Sequence, residues 1–388
     1  MSNRRPGLMD LDDSTPLPHC EEALHESACE ATGHSEFGPD EYREGLRVFL
    51  NSCESESNLT PVGRLLVKGQ VLSGLTGRLL SEAEFSVQRE VSAHTLERPL
   101  VIVGMPRTAS TALHRMLSRD PDLQGLELWV AESPMPRPPR EEWGDVPAFI
   151  DCDTRTRALY EASPEMRAIH EMDAHEVDEC WHLLRQSFGS VTFECNFRVP
   201  TYSRWWAGRD MRAEYARYRK NLEMIGSNAP GCRWLLKDAT HMFHMEAFLE
   251  TFPDACVVTT RRDPLKIIPS VASLTSVGMQ AAVADFDPHA HGRDQLALWR
   301  RGMGELEKMD ERWPSDRLYQ MNFDDFQADP MGEVLRIYER FGFSLSEEGR
   351  LAMQTWRMEN QRGHQGTHVY SPEDFGLSAL DIERAFSL

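Results

Sequence analysis

The sequence predicts an α/β fold in which a parallel sheet is flanked by helices, and three observations predict it. Leu100, Val101, Ile102 and Val103 form an unbroken aliphatic run that ends at Gly104, the pattern of a strand buried on both faces of a parallel sheet. Shorter runs of the same kind recur at Trp234, Leu235 and Leu236, at Ala255, Cys256, Val257 and Val258, and at Leu318, Tyr319, Gln320 and Met321. Each run precedes polar residues and then a helical period, the alternation of a doubly wound sheet. Ligands of such sheets sit beyond the carboxyl ends of the strands, so chemistry is expected in the residues that follow each run.

Ahead of the sheet, residues 1–38 are rich in Asp, Glu, Ser, Pro and His, and apolar residues such as Leu24 and Ala28 are too sparse to mark a strong buried stripe. This acidic stretch is expected to fray. From Asp40 the pattern changes, because Tyr42, Leu46, Phe49, Leu50 and Cys53 share one face of a helix. A second helix is predicted after the Thr60 cap, with Pro61 in its first turn and Leu65, Leu66, Val71, Leu72, Leu75, Leu79 and Leu80 as its apolar residues. Residues 39–97 are thus expected to form a helical segment packed on an α/β domain of residues 98–388. Within that domain Pro134, Pro136, Pro138, Pro139 and Pro147 predict an extended surface loop.

Composition narrows the function. The 388 residues are 40% hydrophobic and 27% charged, as in ordinary globular proteins, and carry a net charge of −20. That field repels nucleic acid and anionic lipid, so an anionic ligand must be met by a local basic pocket. No apolar run approaches the ~20 residues of a membrane span, and Asp10, Asp12 and Asp13 stand where a secretory signal would have its apolar region. Eight cysteines are scattered without a C-x-x-C pair, which fits reduced thiols and a cytoplasmic protein better than disulfides or zinc. The sequon at Asn58 is then a chance match.

Three clusters carry chemistry. The first strand runs into Gly104, Met105, Pro106, Arg107, Thr108, Ala109, Ser110 and Thr111, and then into a helical pattern with Leu113, Met116 and Leu117. Strand, short loop and helix make a phosphate cradle: N–H groups at the helix start face an anion, three hydroxyls add hydrogen bonds, and Arg107 brings a fork that matches oxyanions. Ala109 and Ser110 stand where G-x-x-x-x-G-K-[ST] requires Gly and Lys, which disfavours binding of a magnesium nucleoside triphosphate. Alone, the loop fits an anion site and a structural turn equally. In the second cluster Arg261, Arg262 and Asp263 follow a strand, with Ser270 beyond; either a bound anion or Asp263 answers the two arginines. The third is Lys237, Asp238, Ala239, Thr240 and His241. Here a lysine supplies a point charge, and the histidine serves either as a base near neutral pH or as a structural residue.

In this order, the motifs resemble the bacterial-type sulfotransferases that share a PRSGTT-like loop after the first strand. The resemblance implies a P-loop-like sheet and transfer of a sulfuryl group from 3′-phosphoadenosine 5′-phosphosulfate (PAPS) to an acceptor, usually a hydroxyl. It places the 5′-phosphosulfate on Arg107, Thr108, Ala109, Ser110 and Thr111. It places the 3′-phosphate on Arg262 and Ser270, eight residues apart as in the family pattern. The stretch from Leu235 to His241 resembles the family's LKSPxH, with Asp238 and Ala239 in place of Ser-Pro, and Ala109 replaces a glycine. His364, Gly366, His368, Tyr370, Ser371, Glu373, Asp374, Phe375, Gly376 and Leu377 resemble a C-terminal pattern of the family. No metal is required, and no metal-ligand spacing is found.

Arg107 and Lys237 are expected to stabilise charge on the leaving oxygen. For the base, His241 competes with a crowded segment containing His170, Asp173, His175, Glu176, Glu179 and His182, of which His170 and Glu179 lead; Glu127 is a further candidate. Tyr202, Trp205 and Trp206 fit an acceptor pocket or simple aromatic packing. The acidic surface disfavours polyanionic acceptors, leaving small alcohols, phenols, lipids or carrier-bound intermediates. A kinase-like phosphotransferase is disfavoured by the missing lysine, and a noncatalytic nucleotide-binding module by the paired anion loops with Lys237 and His241 between them.

Overall fold

The computed structural model describes residues 15–87, 96–162, 171–310, 313–360 and 371–387. Five strands, β1 (Leu100–Gly104), β2 (Leu123–Gln124), β3 (Arg233–Lys237), β4 (Cys256–Arg261) and β5 (Leu318–Asn322), pair in the order β2-β3-β1-β4-β5. Every pairing is parallel. The four apolar runs are strands, as their composition predicts. β2 is too short to show a period, and it completes the edge beside β3.

β1 lies at the centre and is buried along its whole length. Its alternate residues enter different cores, as the period of a strand requires. Leu100 and Ile102 join Leu235, Cys256 and Val258 against helices on one face, whereas Val101 and Val103 join Leu236 and Val257 against those on the other. The chain crosses from β1 to the β2–β3 side and then to the β4–β5 side, so the winding reverses at β1, where a crevice opens beyond the strand ends. Gly104 lets the chain leave β1 flush against β4, because a Cβ here would collide with the Thr260 hydroxyl and carbonyl.

Among the described residues three α-helices precede the sheet: α1 (Glu21–Thr32), α2 (Tyr42–Glu56) and α3 (Pro61–Ser86). The expectation that residues 1–38 fray is overturned for the described part. Leu17, Leu24 and Ala28 are fully buried, and polar groups complete what this thin apolar stripe lacks. The Glu21 carboxylate accepts from Arg43 and Arg47, and His25 joins the Glu21 carbonyl at 2.7 Å to the Tyr42 hydroxyl at 2.8 Å. Residues 1–14 lie outside the described set. Thr60 caps α3 by accepting from Gly63 N–H and donates to the Ala281 carbonyl at 2.7 Å, tying the helix to the end of the helix Pro264–Ala282. No helix among the described residues is long and apolar enough to cross a membrane.

Candidate active site

The loop after β1 enters α4 (Ser110–Leu117) through two residues in the left-handed region, Arg107 and Ala109, each at φ 66°. Alanine therefore occupies the conformation that glycine adopts freely, and the loop stores strain there. Thr108, fully buried between them, donates from Oγ1 to the Met105 carbonyl at 2.7 Å and shares a 2.6 Å hydrogen bond with the Thr260 hydroxyl. Its hydroxyl thus braces the loop, a correction to the expectation that all three hydroxyls face the anion. Among the described residues, Leu113 is the first of α4 whose N–H finds a backbone acceptor, the Ala109 carbonyl at 3.0 Å. The N–H groups of Ser110, Thr111 and Ala112 are left at the positive end of the helix, the arrangement that receives an anion.

Arg107, Arg262 and Ser270 come together as one unit. Arg107 Nε donates to Ser270 Oγ at 3.1 Å, and Arg262 Nη1 donates to the Arg107 carbonyl at 2.8 Å. The Arg262 guanidinium lies 4.0 Å from the Phe323 ring centroid, which fixes its plane. Arg261 points elsewhere, toward Met303 Sδ at 3.8 Å. Asp263 caps the helix Pro264–Ala282, accepting from Leu265 N–H at 2.9 Å.

At the end of β3, Lys237 Nζ donates to Thr111 Oγ1 at 3.0 Å and to Glu179 Oε1 at 2.5 Å. The Lys237 side chain is 7% exposed and that of Glu179 is 26% exposed. Backbone pairing delivers Glu179 to this point, since the next residue, Cys180, donates its N–H to the Lys237 carbonyl at 3.1 Å. Arg107, Ser110, Thr111, Glu179 and Lys237 line a cleft of about 230 Å³. Cations, hydroxyls, free helix N–H groups and a carboxylate therefore share one crevice, at the strand ends where the topology reverses.

A family model described as the sulfotransferase family matches residues 99–347. The chain belongs to the sulfotransferase family. It is similar to the crystal structure of the sulfotransferase STF1 from Mycobacterium tuberculosis, with a TM-score of 0.88 and 36% identity over 94% of this chain and 98% of that one. It is also similar to that of STF9 from Mycobacterium avium, with a TM-score of 0.86, 26% identity and 94% of each chain covered. Curated relatives from Mycobacterium bovis and Mycobacterium tuberculosis, each an omega-hydroxy-beta-dihydromenaquinone-9 sulfotransferase Stf3, are 24% identical over 265 residues, 63% of this chain. The match spans 62% of those relatives' length.

The structure corrects the reading of His241 in this sulfotransferase-family chain. His241 is fully buried, its Nδ1 lies 3.0 Å from the Tyr215 hydroxyl, and Tyr215, Tyr218 and Phe248 surround its ring. Burial pushes its pKa down to about 3. It is absent from the cleft lining, and its surroundings are those of a core residue. His170 lies outside the described residues, as do His364, Gly366, His368 and Tyr370. Ser371 caps a short turn (Pro372–Phe375) whose Phe375 is buried beside His291.

The rest of the crowded segment divides clearly. Glu176 pairs with Arg119, His175 packs on Phe149, and His182 stacks on Trp181 with ring centroids 3.7 Å apart. Asp173 accepts from His175 N–H at 2.8 Å. Glu127 is engaged by Arg137 at 2.7 Å, outside the cleft. Tyr202 donates to the Phe188 carbonyl and Trp205 to Glu44, while Trp206 packs on Phe243. Tyr202 and Trp205 take the packing role, whereas Trp206 also borders a separate cavity with Phe243 and His244. Sequence reasoning missed His114, a buried cleft residue of α4 whose pKa burial and then Lys237 push down to about 3. Its only signal was a polar residue on the apolar face of a helix. Among the described residues no group of three or more His, Cys, Asp and Glu is placed to hold a metal ion.

Proposed function

We propose that this chain transfers a sulfuryl group from PAPS to a hydroxyl of a small molecule, a lipid or a carrier-bound intermediate. The observation that carries the reading is the convergence of Arg107, Lys237, Thr111 and Glu179 on the start of α4, with Arg262 and Ser270 joined to Arg107. The residues fit a donor that is anionic at both ends. Arg107, Ser110, Thr111 and the N–H groups of the first turn of α4 would hold the phosphosulfate, with Thr108 and Ala109 shaping the loop. Arg262 and Ser270 would hold the 3′-phosphate.

Bound there, PAPS supplies an activated sulfuryl group. Arg107 and Lys237 are fixed cations where charge grows on the departing oxygen, an effect larger in the transition state than in the ground state. Glu179 takes the acceptor's proton as the acceptor oxygen bonds to sulfur and the bond from sulfur to the phosphate oxygen breaks. Lys237 holds Glu179 through the 2.5 Å ion pair, orienting the base beside the transferring group.

The Stf3 relatives are named for an omega-hydroxylated menaquinone, which supports a hydroxyl acceptor and places lipids among the classes to test. Eight free cysteines support a reducing, cytoplasmic setting. Incubation of the protein and sulfur-labelled PAPS with cell extract, followed by mass spectrometry, should yield a product heavier by one sulfuryl group. Absence of any protein-dependent labelled product contradicts the proposal.

A further inference from the structure

Asp238 follows Lys237 where the LKSPxH pattern has serine, and the structure gives the exchange a purpose. The residue is 1% exposed, and both of its carboxylate oxygens are engaged. Oδ2 accepts the N–H of Trp181, and Oδ1 accepts the N–H of Thr240 at 2.6 Å. The first of these belongs to the stretch that carries Glu179. Cys180, between Glu179 and Trp181, is bonded to the Lys237 carbonyl at 3.1 Å. On the other side, Glu179 donates its own N–H to Asp178 Oδ1 at 2.6 Å. The end of β3 therefore grips the backbone at two successive residues after Glu179, the second grip through a side chain that few residue types can supply.

We propose that Asp238 is a positioning residue for the transfer, fastening the stretch 178–181 to the end of β3 so that the Glu179 carboxylate meets Lys237 and the acceptor hydroxyl. The inference rests on Glu179 as the base. A serine at this position has one shorter acceptor and cannot serve both N–H groups with the same reach. The second consequence is electrostatic. Glu179 and Lys237 are among the charged groups that act on Asp238, while Cys180, Cys195, Tyr215 and Tyr218 sit around it as acids whose ionisation burial disfavours. Burial and then the charge of Glu179 push the Asp238 carboxyl up from its ordinary range.

The test compares Asp238→Asn, Asp238→Ser, Glu179→Gln and the double variant Glu179→Gln with Asp238→Asn in the full chain. The probes are 3′,5′-adenosine bisphosphate for the donor site, and sulfur-labelled PAPS with a phenol for turnover. Asp238→Asn should lower kcat/KM about tenfold or more through misplacement of the base. It should leave bisphosphate affinity within about threefold. Amide hydrogen exchange at Cys180 and Trp181 should rise about tenfold in Asp238→Ser, a readout that needs no turnover. In the Glu179→Gln background the Asp238 change should add little, because the two act as a unit. Full turnover in Glu179→Gln overturns the base assignment itself. Loss in Glu179→Gln, with undiminished kcat/KM and unchanged amide exchange in both Asp238 variants, overturns the role of Asp238 alone. If Asp238→Asn does not fold, Asp238→Ser carries the same comparisons.

Discussion

Ala109→Gly separates the strain in the anion loop from the helix that follows it. Ala109 sits at φ 66° and ψ 13°, a conformation that costs a non-glycine residue about 1 to 2 kcal/mol. Glycine removes that cost but brings back unfolded-state freedom of about 0.4 to 1 kcal/mol. The net expectation is a stabilisation of about 0.5 to 1 kcal/mol from these two effects. The control is Ala112→Gly, three residues on and inside α4, where the same exchange should destabilise by about 1 kcal/mol. The difference between the variants, about 1.5 to 2 kcal/mol, reports the left-handed backbone with the chemistry of the exchange held constant. Urea unfolding with an unchanged slope measures both. Equal destabilisation by the two variants would refute the strained loop. Affinity for 3′,5′-adenosine bisphosphate should stay within a few-fold in Ala109→Gly, since the brace formed by Thr108, Met105 and Thr260 remains.

Arg262→Ala should weaken 3′,5′-adenosine bisphosphate binding by about 2 to 4 kcal/mol. The loss for 5′-AMP should be smaller, confined to the slackened Arg107 carbonyl; equal losses in calorimetry would show that Arg262 does not read the 3′-phosphate. Neutral replacements of Arg107 or Lys237 should each lower kcat by roughly 10²- to 10³-fold, measured by single-turnover transfer from labelled PAPS. His241→Phe should leave the acidic limb of the pH profile in place. The His241 pKa in the fold lies below its ordinary 6.5, so its contribution to stability is intact above that value and is lost as pH falls. His241→Phe should therefore remove about 2 kcal/mol of the loss between neutral pH and about pH 5, read by denaturation at both.

What could be read in advance depended on how local each cause is. β1, β3, β4 and β5 are legible because a strand buried on both faces needs a continuous apolar run, whereas β2 has only two residues to show. The pairing of Arg262 with Ser270 is implied only by the family resemblance, and their connection to Arg107 arises from β1 and β4 lying side by side. Glu179 stood among several acids and histidines of its segment. What singles it out is the hydrogen bond from Cys180 to Lys237, a contact between stretches far apart in sequence. The setting of His241 is hidden for the opposite reason, since its position after a strand is visible but the ring of Tyr215, Tyr218 and Phe248 comes from two other helices. Likewise, the stripe of Leu17, Leu24 and Ala28 is thin in sequence, and it folds because Glu21 and His25 find partners on α2.

The central claim is that the crevice takes a 3′-phosphorylated adenine nucleotide through two linked anion sites. Thermal unfolding of the purified protein with 3′,5′-adenosine bisphosphate, and separately with magnesium ATP, tests it most directly. The geometry of Arg107, Arg262 and Ser270 predicts that the bisphosphate raises the melting temperature in a concentration-dependent way while magnesium ATP leaves it unchanged. Stabilisation by magnesium ATP with none from the bisphosphate would contradict the account.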